Sequence, residues 1–146
     1  MAKFAQGRFN MKNPTKYVGT KSPLARSSWE FVFMRMLDEH PGVEKWASES
    51  IQIPYRDPLT GKSTIYVPDF FIVYVDKNGS KHAEVVEVKP SNHTLREKVG
   101  KSLYNQEQYV KNMAKWEAAG KWCKQQGIRF RVVSENDIFH QGGKRR

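Results

Sequence analysis

Alternating apolar and polar positions predict a β-hairpin near the middle of the chain. The run from Val67 to Val75 is dense in Val, Ile, Tyr and Phe, and a second run alternates around valines before it ends at Lys89. Asn78-Gly79, which lies between the two runs, is typical of a tight hairpin turn. Asp69 is therefore expected to begin one strand, and Glu87 is expected near the end of its partner.

Apolar residues at helical spacing predict two α-helices. The first runs from about Ser28 to Glu39 and carries apolar side chains around most of its surface, so it is expected to be largely buried. His40-Pro41-Gly42 is predicted to end it. The second helix is long, from about Ser102 to Gln126, and Gly127 is its expected C-terminal cap.

Shorter stretches predict the remaining elements. A crossover helix before the final strand predicts that this strand is parallel to the one that ends at Lys89. The order is then helix, three strands, long helix, strand and short helix, which is an α/β (α+β) fold class with a central mixed sheet flanked by helices. The stretches are 43–47 as a short helical or extended connection, 49–55 as a strand, 57–61 as a turn, 63–67 as the resumption of that strand, 128–133 as the final strand and 134–137 as the start of a terminal helix.

Composition narrows the function classes. The 146 residues suffice for one domain with its own core, and 25 Lys and Arg against 15 Asp and Glu give a net charge of +10. This excess indicates a polyanionic partner, with nucleic acid ahead of a membrane surface. Cys123 is the single cysteine, so neither a disulfide framework nor a cysteine zinc cluster is expected. No membrane span and no signal peptide are predicted.

Three charged residues are expected to meet at one end of the predicted hairpin. Glu87 and Lys89 are two positions apart and share a strand face, and the hairpin brings Asp69 to the same end. Two carboxylates offer the hard oxygen ligands that Mg²⁺ prefers, and a lysine beside them can orient or deprotonate a water, or neutralise charge on a phosphate. This pattern favours phosphodiester hydrolysis; the alternative is an exposed strand end with a surface salt bridge.

Glu30 has two competing interpretations. The segment from Ser27 to Glu30 matches a capping box, in which the glutamate bonds back to the first backbone N–H groups of the helix. Glu30 is also an acid on a nearly all-apolar helix, which favours a position in the metal site.

Basic residues concentrate at both ends of the chain and after the predicted hairpin. Residues 1–26 contain no acid, and proline and glycine interrupt any helix there. They predict an irregular basic arm on DNA phosphates, with a solvated tail as the alternative. The candidate DNA-binding residues are Lys12, Lys16, Lys21, Arg26, His93, Arg96, Lys98, Lys101, Asn112 and Lys115.

The sequence resembles known nuclease families, both in a short signature and over longer stretches. Pro68-Asp69 followed by Glu87-Val88-Lys89 resembles the PD-(D/E)xK nuclease signature, and the element order is similar to the restriction-endonuclease-like core. The helix-to-strand pattern after it is similar to the transposon endonuclease subunit TnsA. Longer stretches resemble the head-completion nuclease family of T-even-type phages, namely Arg26 to Glu30, Trp46 to Glu49, Ile53 to Tyr55, Tyr66 to Asp69, Glu87 to Pro90, Tyr109 to Ala119, Gly127 to Phe130 and Ser134-Glu135.

The resemblance implies a Mg²⁺-dependent DNA endonuclease, with Mn²⁺ as a substitute. Asp69 and Glu87 would hold the metal, Lys89 would serve the water and Glu30 would complete the acidic set. Glu49, Asn112 and Lys115 are secondary members of the implied site. The nuclease domain would span 27–140, between the basic arm and a basic tail at 141–146.

The same resemblance implies a role at the DNA end in a filled phage head. Double-stranded DNA is the implied partner, with portal or neck proteins of the capsid as further partners, and the implied location is the virion or the host cytoplasm. Two alternatives stay open: a transposase-associated or junction-type endonuclease, and a structural head protein with an inert site.

Overall fold

The computed structural model describes residues 7–89 and 102–134. The predicted basic loop and terminal helix, over 91–100 and 134–137, lie outside these residues except for Ser134. The elements in chain order are β1 (Gly7–Arg8), a 3₁₀ turn (Pro14–Lys16), β2 (Leu24–Ala25), α1 (Ser28–Glu39), β3 (Val43–Ser48), β4 (Ile53–Arg56), β5 (Ser63–Tyr66), β6 (Phe70–Val75), β7 (Lys81–Val88), α2 (Leu103–Gln126) and β8 (Arg129–Val133).

A four-stranded mixed sheet, in the order β3-β6-β7-β8, forms the centre of the fold. β3 pairs antiparallel with β6, and β6 pairs antiparallel with β7 through the predicted hairpin. β8 lies parallel to β7, as expected of a crossover through α2. The predicted fold class, an α/β (α+β) fold with a central mixed sheet flanked by helices, is confirmed.

The two helices cover opposite faces of this sheet. Phe33 and Leu37 of α1 pack with Phe70, Ile72 and Val86 in the larger apolar cluster. The smaller cluster joins α2 to the β4–β5 hairpin and to β8. In the described part of the chain, neither helix combines the length and apolar surface that crossing a bilayer requires.

The bounds of both predicted helices are confirmed within a residue. Ser27 caps α1, where its side chain accepts a hydrogen bond from the backbone N–H of Glu30 at 3.1 Å. Ser102 caps α2, and Gly127 ends it in the left-handed region at φ 75°. The residue types at these three helix ends therefore set the ends that the structure shows.

The region between α1 and Asp69 differs from the sequence expectation. Residues 43–47, interpreted as a connection, are part of β3, an edge strand of the sheet. A register shift between Val43 and Lys45 breaks the alternation that would have identified this strand. The strand expected from residue 49 begins only at Ile53, and β4 pairs with β5 as a separate two-stranded sheet.

Residues 7–25, the described part of the N-terminal segment, are more ordered than an irregular arm. β1 pairs with β2, and the buried Phe9 ring contacts Phe31 and Trp46 with centroid distances of 5.7 and 6.1 Å. The buried Asp38 carboxylate accepts the backbone N–H groups of Lys12 and Asn13 at 2.9 and 3.0 Å. Residues 7–25 are thus packed against α1 and β3, although the division into arm, domain and tail stays a prediction.

Candidate active site

The β6–β7 hairpin places Asp69 beside the end of β7. Phe70 pairs with Val86, so Asp69 lies one residue beyond the last paired position. The backbone N–H of Val88 donates to Asp69 Oδ2 at 2.8 Å, and the Asp69 carbonyl accepts the backbone N–H of Glu49 at 2.9 Å. One carboxylate oxygen and the backbone of Asp69 are therefore held by neighbouring strands.

Glu87 and Lys89 lie on the same face of β7, as their spacing predicts. Val86 and Val88 point the other way into the larger apolar cluster. The Glu87 carboxylate is buried, with Lys89 Nζ 3.7 Å from its Oε2 atom. Its Oε1 atom accepts a hydrogen bond from the Tyr66 hydroxyl at 2.7 Å.

Burial and mutual repulsion dominate the electrostatics of the two carboxyl groups. Burial raises the pKa of Asp69 well above its ordinary value, and the Glu87 and Glu30 carboxylates raise it further. Burial also raises the pKa of Glu87, although the cationic Lys89 and the Tyr66 hydrogen bond oppose the shift. Both buried carboxyl groups favour the protonated form when no cation is bound. A bound cation would therefore stabilise their charged forms.

Glu30 has features of both the capping interpretation and the metal-site interpretation. Its backbone N–H is capped by Ser27, but its Oε1 atom accepts the backbone N–H of Arg26 at 3.0 Å and not that of the cap residue. Burial raises the pKa of the Glu30 carboxyl, while Arg26 and Lys89 lower it. Glu30 also raises the pKa of Asp69, so a capping carboxylate lies within electrostatic range of the acid pair.

Glu49 connects the N-terminal segment to this end of the sheet. It follows β3 directly and has a left-handed backbone at φ 51°, which is unfavourable for a residue with a side chain. Arg26 donates to both Glu49 carboxylate oxygens, at 2.8 Å from Nε and 3.1 Å from Nη2. This hydrogen-bonded pair, followed by the nearby Lys21, lowers the pKa of Glu49.

Lys115 approaches the site from α2. Its ammonium lies 5.7 Å from the centroid of the Tyr66 ring. Burial lowers its pKa, as does Lys89, while Glu87 raises it. Asn112, one turn earlier on α2, is buried and 4% exposed.

Two of the predicted DNA-binding lysines lie away from the acid pair. Lys12 forms an ion pair with Glu39 at 3.3 Å, and Lys16 Nζ donates to the carbonyl of Asp38 at 2.9 Å and to that of His40 at 2.8 Å. Both contacts are at the C-terminal end of α1, whereas Glu30 lies in its first turn. Four further predicted DNA-binding residues belong to the predicted basic loop and lie outside the described residues: His93, Arg96, Lys98 and Lys101.

Tyr66 is the site residue that the sequence interpretation missed. It ends β5, outside the central sheet, so neither strand alternation nor the Asp69 and Glu87-Val88-Lys89 spacing points to it. Burial, followed by the adjacent Glu87 carboxylate, raises the pKa of its phenol far above the ordinary value. The available signal was its separation of only three residues from Asp69.

The donor chemistry of this site fits Mg²⁺. Within residues 7–89 and 102–134, no three His, Cys, Asp or Glu side chains converge as a ready-made metal-binding group. Two carboxylates match the usual protein contribution to a magnesium site, because this ion keeps several waters and takes other ligands from phosphate. Asp69 and Glu87 are therefore the pair suited to hold it, and the role of Glu30 as a third ligand stays a prediction.

Comparison with known proteins agrees with the fold. The family model of the TnsA-like endonuclease N-terminal domain matches residues 40–135, more than half of the chain. The chain is also similar to the head completion nuclease of enterobacteria phage T4, with 30% identity over a 148-position alignment that covers 94% of this chain and 96% of that protein. The predicted family resemblance is thus confirmed, and the chain belongs to the TnsA-like endonuclease N-terminal family.

Proposed function

We propose that this protein is a Mg²⁺-dependent DNA endonuclease that acts in phage head completion. The observation that carries the proposal is the convergence of Asp69, Glu87 and Lys89 at one end of the β6–β7 hairpin. Two buried carboxylates and an ammonium in this arrangement suit phosphodiester hydrolysis. The nuclease part of the proposal is further supported by the endonuclease family model and by the name of the T4 relative.

Each residue of the site has a distinct task in this mechanism. The carboxylates of Asp69 and Glu87 would hold Mg²⁺, and one oxygen of each is already oriented by a hydrogen bond, from the Val88 N–H and from the Tyr66 hydroxyl. Bound there, the ion supplies Lewis-acid polarisation of the scissile phosphate. Lys89 donates to the attacking water or to a phosphate oxygen and offsets negative charge that develops there.

Cations around the acid pair would hold the DNA backbone. Arg26, Lys21 and Lys115 all act electrostatically on acids of the site. The net charge of +10 provides a longer-range attraction to duplex DNA. Lys12 and Lys16, at the far end of α1, are assigned to this longer-range field and not to contacts at the scissile bond.

The role in head completion follows from the T4 relative, which the chain covers along nearly its full length. In this role the enzyme acts on the DNA end left in a filled head, in the virion or the host cytoplasm, next to portal or neck proteins. The TnsA-like family match favours a second candidate, a nuclease that depends on a partner transposase. Cleavage by the purified protein alone would separate the first role from the second.

The proposal is tested with linear and circular duplex DNA, with Mg²⁺ or EDTA. Wild-type protein is expected to cut in Mg²⁺ or Mn²⁺, whereas Asp69→Asn, Glu87→Gln and Lys89→Met are expected to lose at least about a hundredfold in rate. Lys81→Met is the matched control, because Lys81 lies at the opposite end of β7 and pairs with Glu44. Equal cutting by Asp69→Asn would overturn the site assignment. No cutting by any folded variant or by wild type would favour either the partner-dependent nuclease or a structural role.

A further inference from the structure

We infer that Tyr66 is a positioning residue for Glu87: its hydroxyl holds one carboxylate oxygen and thereby fixes the orientation of the carboxylate plane toward the reacting groups. The inference rests on the proposed function, because it concerns the same site. It adds a residue that lies outside the central sheet and outside the acid and lysine pattern.

The contact is short and fully enclosed. The Tyr66 hydroxyl donates to Glu87 Oε1 at 2.7 Å, and the two residues are 5% and 6% exposed. A hydrogen bond to a charged acceptor in such surroundings is among the stronger kinds in proteins. Water therefore does not compete effectively for the same oxygen.

The hydrogen bond selects one orientation of the carboxylate. The last torsion of a glutamate side chain has only broad preferences of its own, so a partner must define it. With Oε1 held by Tyr66, Oε2 is the oxygen that lies 3.7 Å from Lys89 Nζ. Loss of the hydroxyl would let the carboxylate plane rotate away from this orientation, so that its free oxygen would no longer be held toward the reacting groups.

Tyr66 is itself held by elements outside the catalytic hairpin. It ends β5, pairs with Ile53 of β4, and packs with Ile53 and Ala119 in the smaller apolar cluster. Lys115 of α2 stands over its ring at 5.7 Å. The β4–β5 hairpin thus acts as a brace that brings a rigid donor to Glu87 from the α2 side.

The chain offers a matched control for this contact. Tyr74 donates its hydroxyl to Glu84 Oε2, also at 2.7 Å, and Glu84 is likewise buried on β7. Glu84 lies three residues before Glu87 and faces the opposite side of the sheet, where Arg131 Nε contacts it at 3.0 Å. Tyr74→Phe therefore removes an equivalent bond from a carboxylate that takes no part in the proposed reaction.

The experiment compares Tyr66→Phe and Tyr74→Phe in the full-length protein by three measurements. Thermal unfolding in EDTA reports the structural cost of each change. The shift of the unfolding temperature with Ca²⁺ or Mg²⁺, without DNA, reports metal binding. The Mg²⁺ concentration that gives half-maximal cleavage reports the working site.

Tyr66→Phe is expected to raise the half-maximal Mg²⁺ concentration about tenfold to a hundredfold and to reduce the metal-induced shift of unfolding temperature. Tyr74→Phe is expected to lower only the unfolding temperature in EDTA. A Tyr66→Phe protein with wild-type metal dependence would overturn the inference while leaving the nuclease proposal intact. If wild type neither cuts DNA nor responds to metal, the proposed function fails and the positioning role fails with it.

Discussion

The guanidinium of Arg26 binds both oxygens of the Glu49 carboxylate, at 2.8 and 3.1 Å. The same two residues hold the acids of the site through their backbones, since the Arg26 N–H donates to Glu30 and the Glu49 N–H donates to the Asp69 carbonyl. A single ion pair therefore links the supports of two acids that come from different elements.

Breaking this pair is expected to affect cleavage more than stability. Arg26→Lys retains the charge but loses the two-pronged geometry, and Glu49→Gln retains the shape but loses the charge. Because both groups are partly exposed, we expect the free energy of unfolding to change by less than about 1 kcal/mol. We expect cleavage to fall about tenfold, because the two acids lose part of their alignment.

Initial cleavage rates and urea unfolding check this expectation. Lys12→Met is the control, since it breaks the Lys12–Glu39 ion pair at the other end of α1. Wild-type rates in both Arg26→Lys and Glu49→Gln would show that the pair does not align the acids.

Substitutions at Glu30 separate its two roles. Glu30→Gln keeps an oxygen that can accept the Arg26 N–H, so we expect nearly wild-type stability with a loss of cleavage of about tenfold or more. Glu30→Ala also removes the acceptor, and we expect it to lower the free energy of unfolding by a further amount of about 0.5–2 kcal/mol. Full activity of Glu30→Gln would reduce Glu30 to a capping residue.

The acid pair predicts a pH-dependent stability in the absence of metal. Because the folded-state pKa values of Asp69 and Glu87 lie above their unfolded values, the folded state binds more protons than the unfolded state. Their contribution to stability is therefore present below the ordinary carboxyl range and is lost as the pH rises through the raised pKa values.

Asp69→Asn is expected to remove much of this dependence. The amide oxygen can still accept the Val88 N–H, while the buried charge is gone, so we expect stability at neutral pH to rise by about 0.5–2 kcal/mol in EDTA. Mg²⁺ is expected to raise the unfolding temperature of wild type and not that of Asp69→Asn. Denaturant unfolding between about pH 5 and pH 8 measures the difference, and parallel curves for the two proteins would contradict it.

Lys115 is expected to contribute to DNA binding. We expect Lys115→Met to weaken duplex binding. We also expect it to reduce the magnitude of the slope of log affinity against log salt by about 1, the change that corresponds to one lost phosphate contact. Lys121→Met is the control on the same helix, because Lys121 is exposed and pairs with Glu117 at 3.6 Å. Fluorescence anisotropy in Ca²⁺, over a range of salt concentrations, makes the comparison. An unchanged slope for Lys115→Met would place its ammonium away from the phosphates.

Local signals in the sequence were sufficient to predict the β6–β7 hairpin. Asn78-Gly79 sets the turn, and Gly79 adopts φ 83°, as such a turn requires. Strand alternation then placed Glu87 and Lys89 on one face and Asp69 at the same end. These features depend on neighbouring residues, so spacing alone was enough to predict them.

Features that depend on distant contacts could not be predicted in the same way. β3 was missed because a bulge interrupts its alternation, and the separate pairing of β4 with β5 depends on packing against α2. The Tyr66 contact joins residues 21 positions apart, and the Asp38 contacts join residues 25 and 26 apart. No local pattern reports such pairs.

The capture of Lys12 and Asn13 by Asp38 has a consequence for synthesis of the chain. During synthesis, residues 7–25 leave the ribosome before α1 and β3, against which they pack. Phe9 is therefore exposed to solvent until Asp38 and Trp46 have also emerged. Because residues 1–26 contain no acid, the charged side chains of this nascent segment are all positive. Repulsion between such segments disfavours association of one nascent chain with another before α1 and β3 have formed.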